Sequence, residues 1–289
     1  MIGDKKLPPS AKGLIVPTRQ TSPFYLLRKI HKPGNPGRPI ASVCCCPTEN
    51  IASYLDQIMC PLVPNLGTYV KDTNHALRIF NDFHLDNTTT GERFLYIMDI
   101  KSLHTVIPNN SGLEALAYFI NKHPVLDPVT STLTRLAELM LTLNAFTFNG
   151  DFYQQIGGVA MGSKMGPNYA CLFVGYVEDQ IASQYHGLVP QLHKSYIDDV
   201  IRVDVVAAWT WKTKFASYPT FILLFNLHTQ SLTPNSLPSI SRYALLMITS
   251  ALPFTTRTLT PTLIFIISPH IPAIAKKVSS QSTLSLIHI

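Results

Sequence analysis

Hydrophobic and polar positions change their rhythm several times along the chain, and each rhythm predicts a different element. The first 40 residues are broken by Pro8, Pro9, Pro17, Pro23, Pro33, Pro36 and Pro39, with Gly34 and Gly37 between them, which forbids long helices and favours extended segments joined by turns. Phe24-Tyr25-Leu26-Leu27 reads as a strand running into the basic turn Arg28-Lys29-Ile30-His31-Lys32, and Arg38-Pro39-Ile40 begins a returning strand. From Glu49 to Leu62 the apolar residues Ile51, Tyr54, Leu55, Ile58 and Met59 recur at helical spacing. Phe94-Leu95-Tyr96-Ile97-Met98 is a short apolar run that stops at Asp99, the pattern of a buried strand. Residues 112–122 and 131–143 read as amphipathic helices, and 146–153 as a hairpin around Asn149-Gly150. Gly157-Gly158 marks a turn, 167–182 a long apolar helix, and 194–203 two short strands around Asp198-Asp199.

After Asp204 neither a helical nor an alternating period runs through the chain. Residues 205–289 are dominated by Ser, Thr, Leu, Ile, Pro and Phe and hold no carboxylate, although about a quarter of ordinary residues are charged. The segment's apolar runs are interrupted by Pro, Ser or Thr and fall short of the roughly 20 apolar residues a membrane-spanning helix needs. It is also too rich in Leu, Ile and Phe for a disordered tail.

Composition changes the picture in two places. With 46% apolar residues the chain has ample material for a core. The net charge of +6 invites a nucleic-acid reading, but residues 1–204 carry 17 basic and 17 acidic side chains, so the surplus lies in the tail. One local asymmetry survives: residues 1–38 hold eight basic side chains against Asp4 alone, a surface fit to face phosphate. The five cysteines (Cys44, Cys45, Cys46, Cys60 and Cys171) contain no CxxC pair, so free thiols in a reducing, intracellular compartment are expected. Nothing in the first residues given resembles a signal or targeting segment, so none is expected.

The candidate chemistry lies in three carboxylates. Asp99 ends one strand, and Asp198-Asp199 sits at the tip of a strand-turn-strand. If those strands are neighbours, the carboxylates converge at one sheet end, and carboxylates from separated segments are what a two-metal site for Mg²⁺ requires. The bland alternative is a solvated turn.

At the level of whole strings, the chain resembles the reverse transcriptases of Penelope-like retroelements, relatives of telomerase. The matching strings are residues 24–33 (FYLLRKIHKP), 37–40 (GRPI), 99–108 (DIKSLHTVIP), 160–167 (AMGSKMGP) and 196–199 (YIDD), in the family's order and spacing over about residues 5–203. The resemblance implies an α+β right-hand polymerase fold with fingers and palm, an antiparallel palm sheet with helices, and no recognisable thumb. It implies a fingers-like region with the basic hairpin over 1–90, a palm over 91–204 with a helical insertion at about 109–190, and a tail, 205–289, foreign to the family. Asp99, Asp198 and Asp199 would be catalytic and hold two Mg²⁺ ions. Lys29, Lys32 and Arg38 would meet the incoming triphosphate, His104 would lie under its sugar, and Met161-Gly162 would form the close turn beneath the templating pair. The implied partners are an RNA template, a DNA primer and deoxynucleotide triphosphates, with no membrane and, for a functional element, a nuclear location.

The departures bear on activity. His104 stands where the family has Tyr, Arg28 where it has Pro, Val106 where it has Asn, and Gly166 where it has Ala. Cys44-Cys45-Cys46 replaces small residues and glycine. Imidazole is smaller and more polar than a phenol ring, which bears on exclusion of a 2′-hydroxyl. Downstream, codon choices over Thr258–Val278 permit, in a shifted frame, a run of His, Tyr, Ser and Pro similar to the family's segment after the palm. Two functions therefore stand: an RNA-directed DNA polymerase fragment, or an inactive remnant that at most binds nucleic acid through its basic hairpin. A membrane-tethered interaction protein is a third class, resting on the apolar tail alone. The tail is expected to be out of frame and poorly packed. Sequencing the locus should find thumb codons, with or without nuclease codons after them, in another frame, with the slip near codons 203–215; a contiguous gene encoding a compact helical thumb in frame would refute this.

Overall fold

The computed structural model describes residues 13–14, 16, 20–30, 34–86, 88, 93–123, 128–184, 189–205, 225–232, 275–277 and 286–287. Lys32 and most of 205–289 lie outside the described residues. The chain divides into two compact units: Met1–Gly67, Ser102–Tyr185 and Pro272–Ile289 form the first, and Thr68–Lys101 with His186–Ile271 the second.

The first unit contains strands β1 (Ser22–Arg28), β2 (Gly37–Ala41), β4 (Ala145–Phe148), β5 (Asp151–Gln155), β9 (Ala275–Lys277) and β10 (Leu286–Ile287), in the order β10-β9-β5-β4-β1-β2. β1 and β2 form the basic hairpin that the sequence predicts, with Phe24 opposite Ala41 and Arg28 opposite Gly37. β4 and β5 are joined by Asn149 and Gly150, both at positive φ (51° and 82°), the twist-matched two-residue turn that Asn-Gly favours. The two hairpins meet through a parallel pairing, Ser22 with Phe146 and Pro23 with Thr147. On the inner face Phe24, Phe146 and Tyr153 stack at ring separations of 5.0 and 5.6 Å, closing a core with Ala41 and Ala160.

The helices of this unit are α1 (Glu49–Met59), α3 (Leu103–Val106), α4 (Asn109–Lys122), α5 (Thr130–Thr142) and α6 (Gly166–Gln184). α6 buries Tyr169 through Gly175 together with Val177 and Ile181, so it is a core helix rather than a surface one. α4 packs closely on it because Gly112 has no side chain: a Cβ there would lie 2.1 Å from the Tyr169 hydroxyl. Asn168 at the start of α6 donates a 2.7 Å hydrogen bond to Asp56 of α1, tying the two helices together.

The second unit is an antiparallel sheet, β6-β7-β3-β8, made from β6 (Leu192–Tyr196), β7 (Asp199–Asp204), β3 (Arg93–Ile100) and β8 (Phe225–Leu232). Its alternation is orderly. Leu95 and Ile97 of β3, Ile201 and Val203 of β7, and Leu192 of β6 turn to one face and pack on α2 (Thr73–Asp82) through Ala76, Ile79 and Phe80. The sequence reading assigned no helix between Leu62 and Phe94, yet the signals were there. Apolar residues at 76, 79 and 80 share one helix face, and Asp72 caps the start by accepting from the His75 N–H at 2.8 Å. It likewise assigned no element after Asp204, where the structure describes β8, β9 and β10.

On the other face of β7 sits a buried ion pair within one strand. The Arg202 Nε and Nη2 groups donate to the two carboxylate oxygens of Asp204, the second at 3.0 Å, and the residues are 2% and 5% exposed. Two-residue spacing on a strand puts both side chains on one face, which allows this fork. Tyr96, opposite Arg202, shares that environment; burial first and the Asp204 charge second push its hydroxyl up to about 12. Removing one partner strands a buried charge, so Asp204→Ala should destabilise the chain by about 3 kcal/mol. Arg202→Leu combined with Asp204→Leu should restore most of that loss, and urea unfolding of the three proteins measures it.

Candidate active site

The carboxylates are brought together by strand register. In the β3–β7 ladder Asp99 is directly opposite Asp199, and Asp198 occupies the two-residue loop that joins β6 to β7. Opposed residues on antiparallel strands have Cβ atoms about 4.5–5.5 Å apart and lie on one face. The Ile100 N–H donates to the Asp198 carbonyl at 2.8 Å, so the loop is tethered to the end of β3 beside Asp99. Ile197, the other loop residue, is β-branched and takes φ +55°, a conformation such side chains adopt under strain. Like charges directly opposite each other weaken a sheet. A fold that sets Asp99 against Asp199 and strains Ile197 in the adjoining loop breaks local rules where a site would.

All three aspartates are half-buried. Among the described residues no three His, Cys, Asp or Glu side chains are gathered as a finished metal-binding group. The fit to a divalent ion comes from the donor set: three carboxylates at one sheet end offer only hard oxygen atoms, the ligands of Mg²⁺ and Mn²⁺.

The residues expected at the nucleotide belong to the first unit. Arg38 is exposed on β2, and the Lys29 N–H donates to the Pro36 carbonyl at 2.9 Å, extending the hairpin beyond β1. His104 is held in α3 by its backbone, its carbonyl accepting from the Val159 N–H at 2.8 Å. Its ring borders Gly166: a Cβ on that glycine would lie 3.4 Å from the imidazole Cδ2. Burial lowers the His104 pKa, and the neighbouring Arg38 charge lowers it further, so the imidazole is neutral at pH 7. The Met161 carbonyl accepts from the Ala41 N–H at 3.0 Å, which fastens the 161–162 turn to the edge of β2. Gly162 takes φ +120°, and a Cβ there would lie 2.4 Å from the Ala41 carbonyl oxygen.

The structure thus groups Asp99, Asp198 and Asp199 in one unit and Arg38, His104, Met161 and Gly162 in the other. Sequence reasoning did not single out Ala41, Val159 or Pro36. They hold the site through backbone groups, for which residue type carries little signal. Gly162→Ala should cost at least about 2 kcal/mol, since it adds both a disfavoured φ and a clash with backbone. Gly166→Ala should be neutral or stabilising, because the nearest atom is at ordinary contact distance and alanine favours a helix. Thermal melts of the two variants make the comparison.

No protein-family model matches the sequence, and no curated protein matches it. Solved structures do. Apo telomerase from Candida tropicalis, truncated from its C-terminal domain, aligns over 75% of this chain and 51% of its own, with TM-score 0.57 and 12% identity. Telomerase of the same organism in complex with the TWJ fragment of telomeric RNA aligns over 81% of this chain and 44% of its own, with TM-score 0.56 and 14% identity. The RNA-dependent RNA polymerase of a human picobirnavirus aligns over 73% and 40%, with TM-score 0.54 and 13% identity. The chain therefore spans about half or less of each of these proteins. At such identities the likeness is one of fold: α+β, with the antiparallel sheets and helices of polymerase fingers and palm.

Proposed function

We propose that the chain is the fingers-and-palm part of an RNA-directed DNA polymerase of the Penelope-like lineage, adding deoxynucleotides to a primer 3′-hydroxyl on an RNA template. The observation that carries this reading is the register of β3 and β7, which opposes Asp99 to Asp199 and sets Asp198 in the adjoining loop. The polymerase fold supports it, as do the basic hairpin and the five sequence strings.

In this reading Asp99, Asp198 and Asp199 hold two Mg²⁺ ions. Bound there, divalent ions would supply Lewis-acid activation of the 3′-hydroxyl and neutralise charge on the leaving pyrophosphate. The chain's own side chains do the rest. Arg38 presents a planar fork of donors to phosphate oxygens, and Lys29 and Lys32 add positive charge from the hairpin. A neutral His104 leaves Arg38 as the cation on that side and meets the sugar with a small, polar ring. The Met161-Gly162 turn, pinned to Ala41, offers backbone without bulk where a base pair must approach.

A second reading, an inactive remnant that binds nucleic acid, is favoured by the acid-free tail and by the departures from the family strings at Arg28, His104, Val106 and Gly166. Primer extension on an RNA template with Mg²⁺ separates the two. The polymerase reading expects extension by the wild-type chain and a loss of at least about 100-fold in Asp198→Asn. His104→Tyr should then lower incorporation of ribonucleotides relative to deoxynucleotides. Wild-type extension no greater than that of Asp198→Asn establishes the remnant.

A further inference from the structure

We infer that Cys44 and Cys45 form a vicinal-dithiol site that takes thiol-bridging ligands of the trivalent-arsenic class, independently of any polymerase activity. The chain holds five cysteines, and the fold treats them unequally. Cys44, Cys45 and Cys60 are exposed, whereas Cys46 and Cys171 are buried. The Cys46 sulfur is also engaged, lying 3.2 Å from the Thr48 hydroxyl. Cys60 caps the far end of α1, and the other exposed pair precedes its start, so the helix, about 16 Å long, stands between them. Two exposed thiols are therefore neighbours, and the third is out of their reach.

A tight turn presents the pair. The Cys46 N–H donates to the Val43 carbonyl at 3.3 Å, closing a four-residue turn with Cys44 and Cys45 at its corner. Cys45 takes φ +58°, the left-handed conformation that the third position of a type II turn requires and that glycine fills without strain. The corner is held from both sides. The Cys45 N–H donates to the Glu49 carboxylate at 2.6 Å, and the Cys45 carbonyl accepts from the Gln20 N–H at 3.1 Å. The backbone of residue 45 is thus bonded within the protein, while the two side chains at the corner face solvent.

The spacing decides which chemistry the pair supports. Consecutive Cα atoms are about 3.8 Å apart, short of the roughly 4.4–6.8 Å that a disulfide spans, so direct closure between neighbours is strained. A bridge through one further atom lengthens the span. Phenylarsine oxide supplies such an atom: both thiols give their protons to the arsenic-bound oxygen, two As–S bonds form, one water leaves, and arsenic stays trivalent. No oxidant or reductant takes part. Once the first As–S bond has formed the second is intramolecular, so a pair holds the ligand at least about 100-fold better than a lone thiol. The adduct would stand at the foot of the basic hairpin, just beyond Ala41, whose N–H fastens the 161–162 turn.

The test uses the full chain, reduced and folded, with phenylarsine oxide as the probe. A thiol-counting dye should find three reactive cysteines before treatment, and one equivalent of the arsenical should leave only Cys60. Intact mass should show one phenylarsenic group that survives excess 2-mercaptoethanol and is released by the dithiol 2,3-dimercaptopropanol. Cys44→Ser and Cys45→Gly should each weaken retention by at least about 100-fold, while Cys60→Ser leaves it unchanged. Cys45→Gly should melt at or above the wild-type temperature, because glycine relieves the left-handed strain, so its loss of binding does not come from unfolding. An adduct that 2-mercaptoethanol strips from the wild type as readily as from Cys44→Ser overturns the inference, as does one that depends on Cys60. Should either variant of the pair fail to fold, the other decides: arsenic retained without one of the two thiols overturns the site, and arsenic lost supports it.

Discussion

The pairing of β3 with β7 is the constraint on which the arrangement of the carboxylates depends. Six residue pairs, from Phe94 with Asp204 to Asp99 with Asp199, fix which side chains enter the core and which stand at the sheet end. Displacing β7 by one residue would turn Ile201 and Val203 away from α2 and carry Asp199 to the opposite face. The apolar residues and the acidic ones are therefore bound to a single register. Burial of Leu95, Ile97, Ile201 and Val203 holds together two carboxylates that repel. Hydrophobic packing in one half of the ladder sustains an electrostatically unfavourable geometry in the other.

The two polar centres of that sheet are built on opposite principles. Arg202 and Asp204 are buried, opposite in sign and bonded to each other, so their charges close on themselves. Asp99 and Asp199 are half-buried, alike in sign and set across a ladder. The first arrangement satisfies its charges with each other, whereas the second sets like charges side by side at the end of the sheet.

Much of this was legible in the sequence, for identifiable reasons. Asn149-Gly150 announces its hairpin because few other pairs tolerate two positive φ values. The stop of an apolar run at Asp99 announces a strand end, and the periods of α1, α4, α5 and α6 announce helices whose observed ends differ from the expected ones by three residues or fewer. α2 was overlooked because ten residues with four apolar positions give a weak period beside longer neighbours. The parallel pairing of β1 with β4 leaves no local trace at all, since it joins residues more than a hundred apart. Nor could spacing reveal that Asp99 opposes Asp199 rather than Asp198, because register is settled by the turn and the core together.

That parallel pairing governs how the six-stranded sheet can come into being. The β1–β2 and β4–β5 hairpins each close over short loops and can form as soon as they are synthesised. Their union is only two residue pairs long, and one of those residues, Pro23, has no N–H to donate. What joins them is the aromatic stack running from Phe24 through Phe146 to Tyr153. Until Phe146 leaves the ribosome, the basic hairpin lacks its neighbour and shows a bare strand edge along β1. The nascent chain must therefore carry its most basic, most exposed element for more than a hundred residues before the partner that shields it is made.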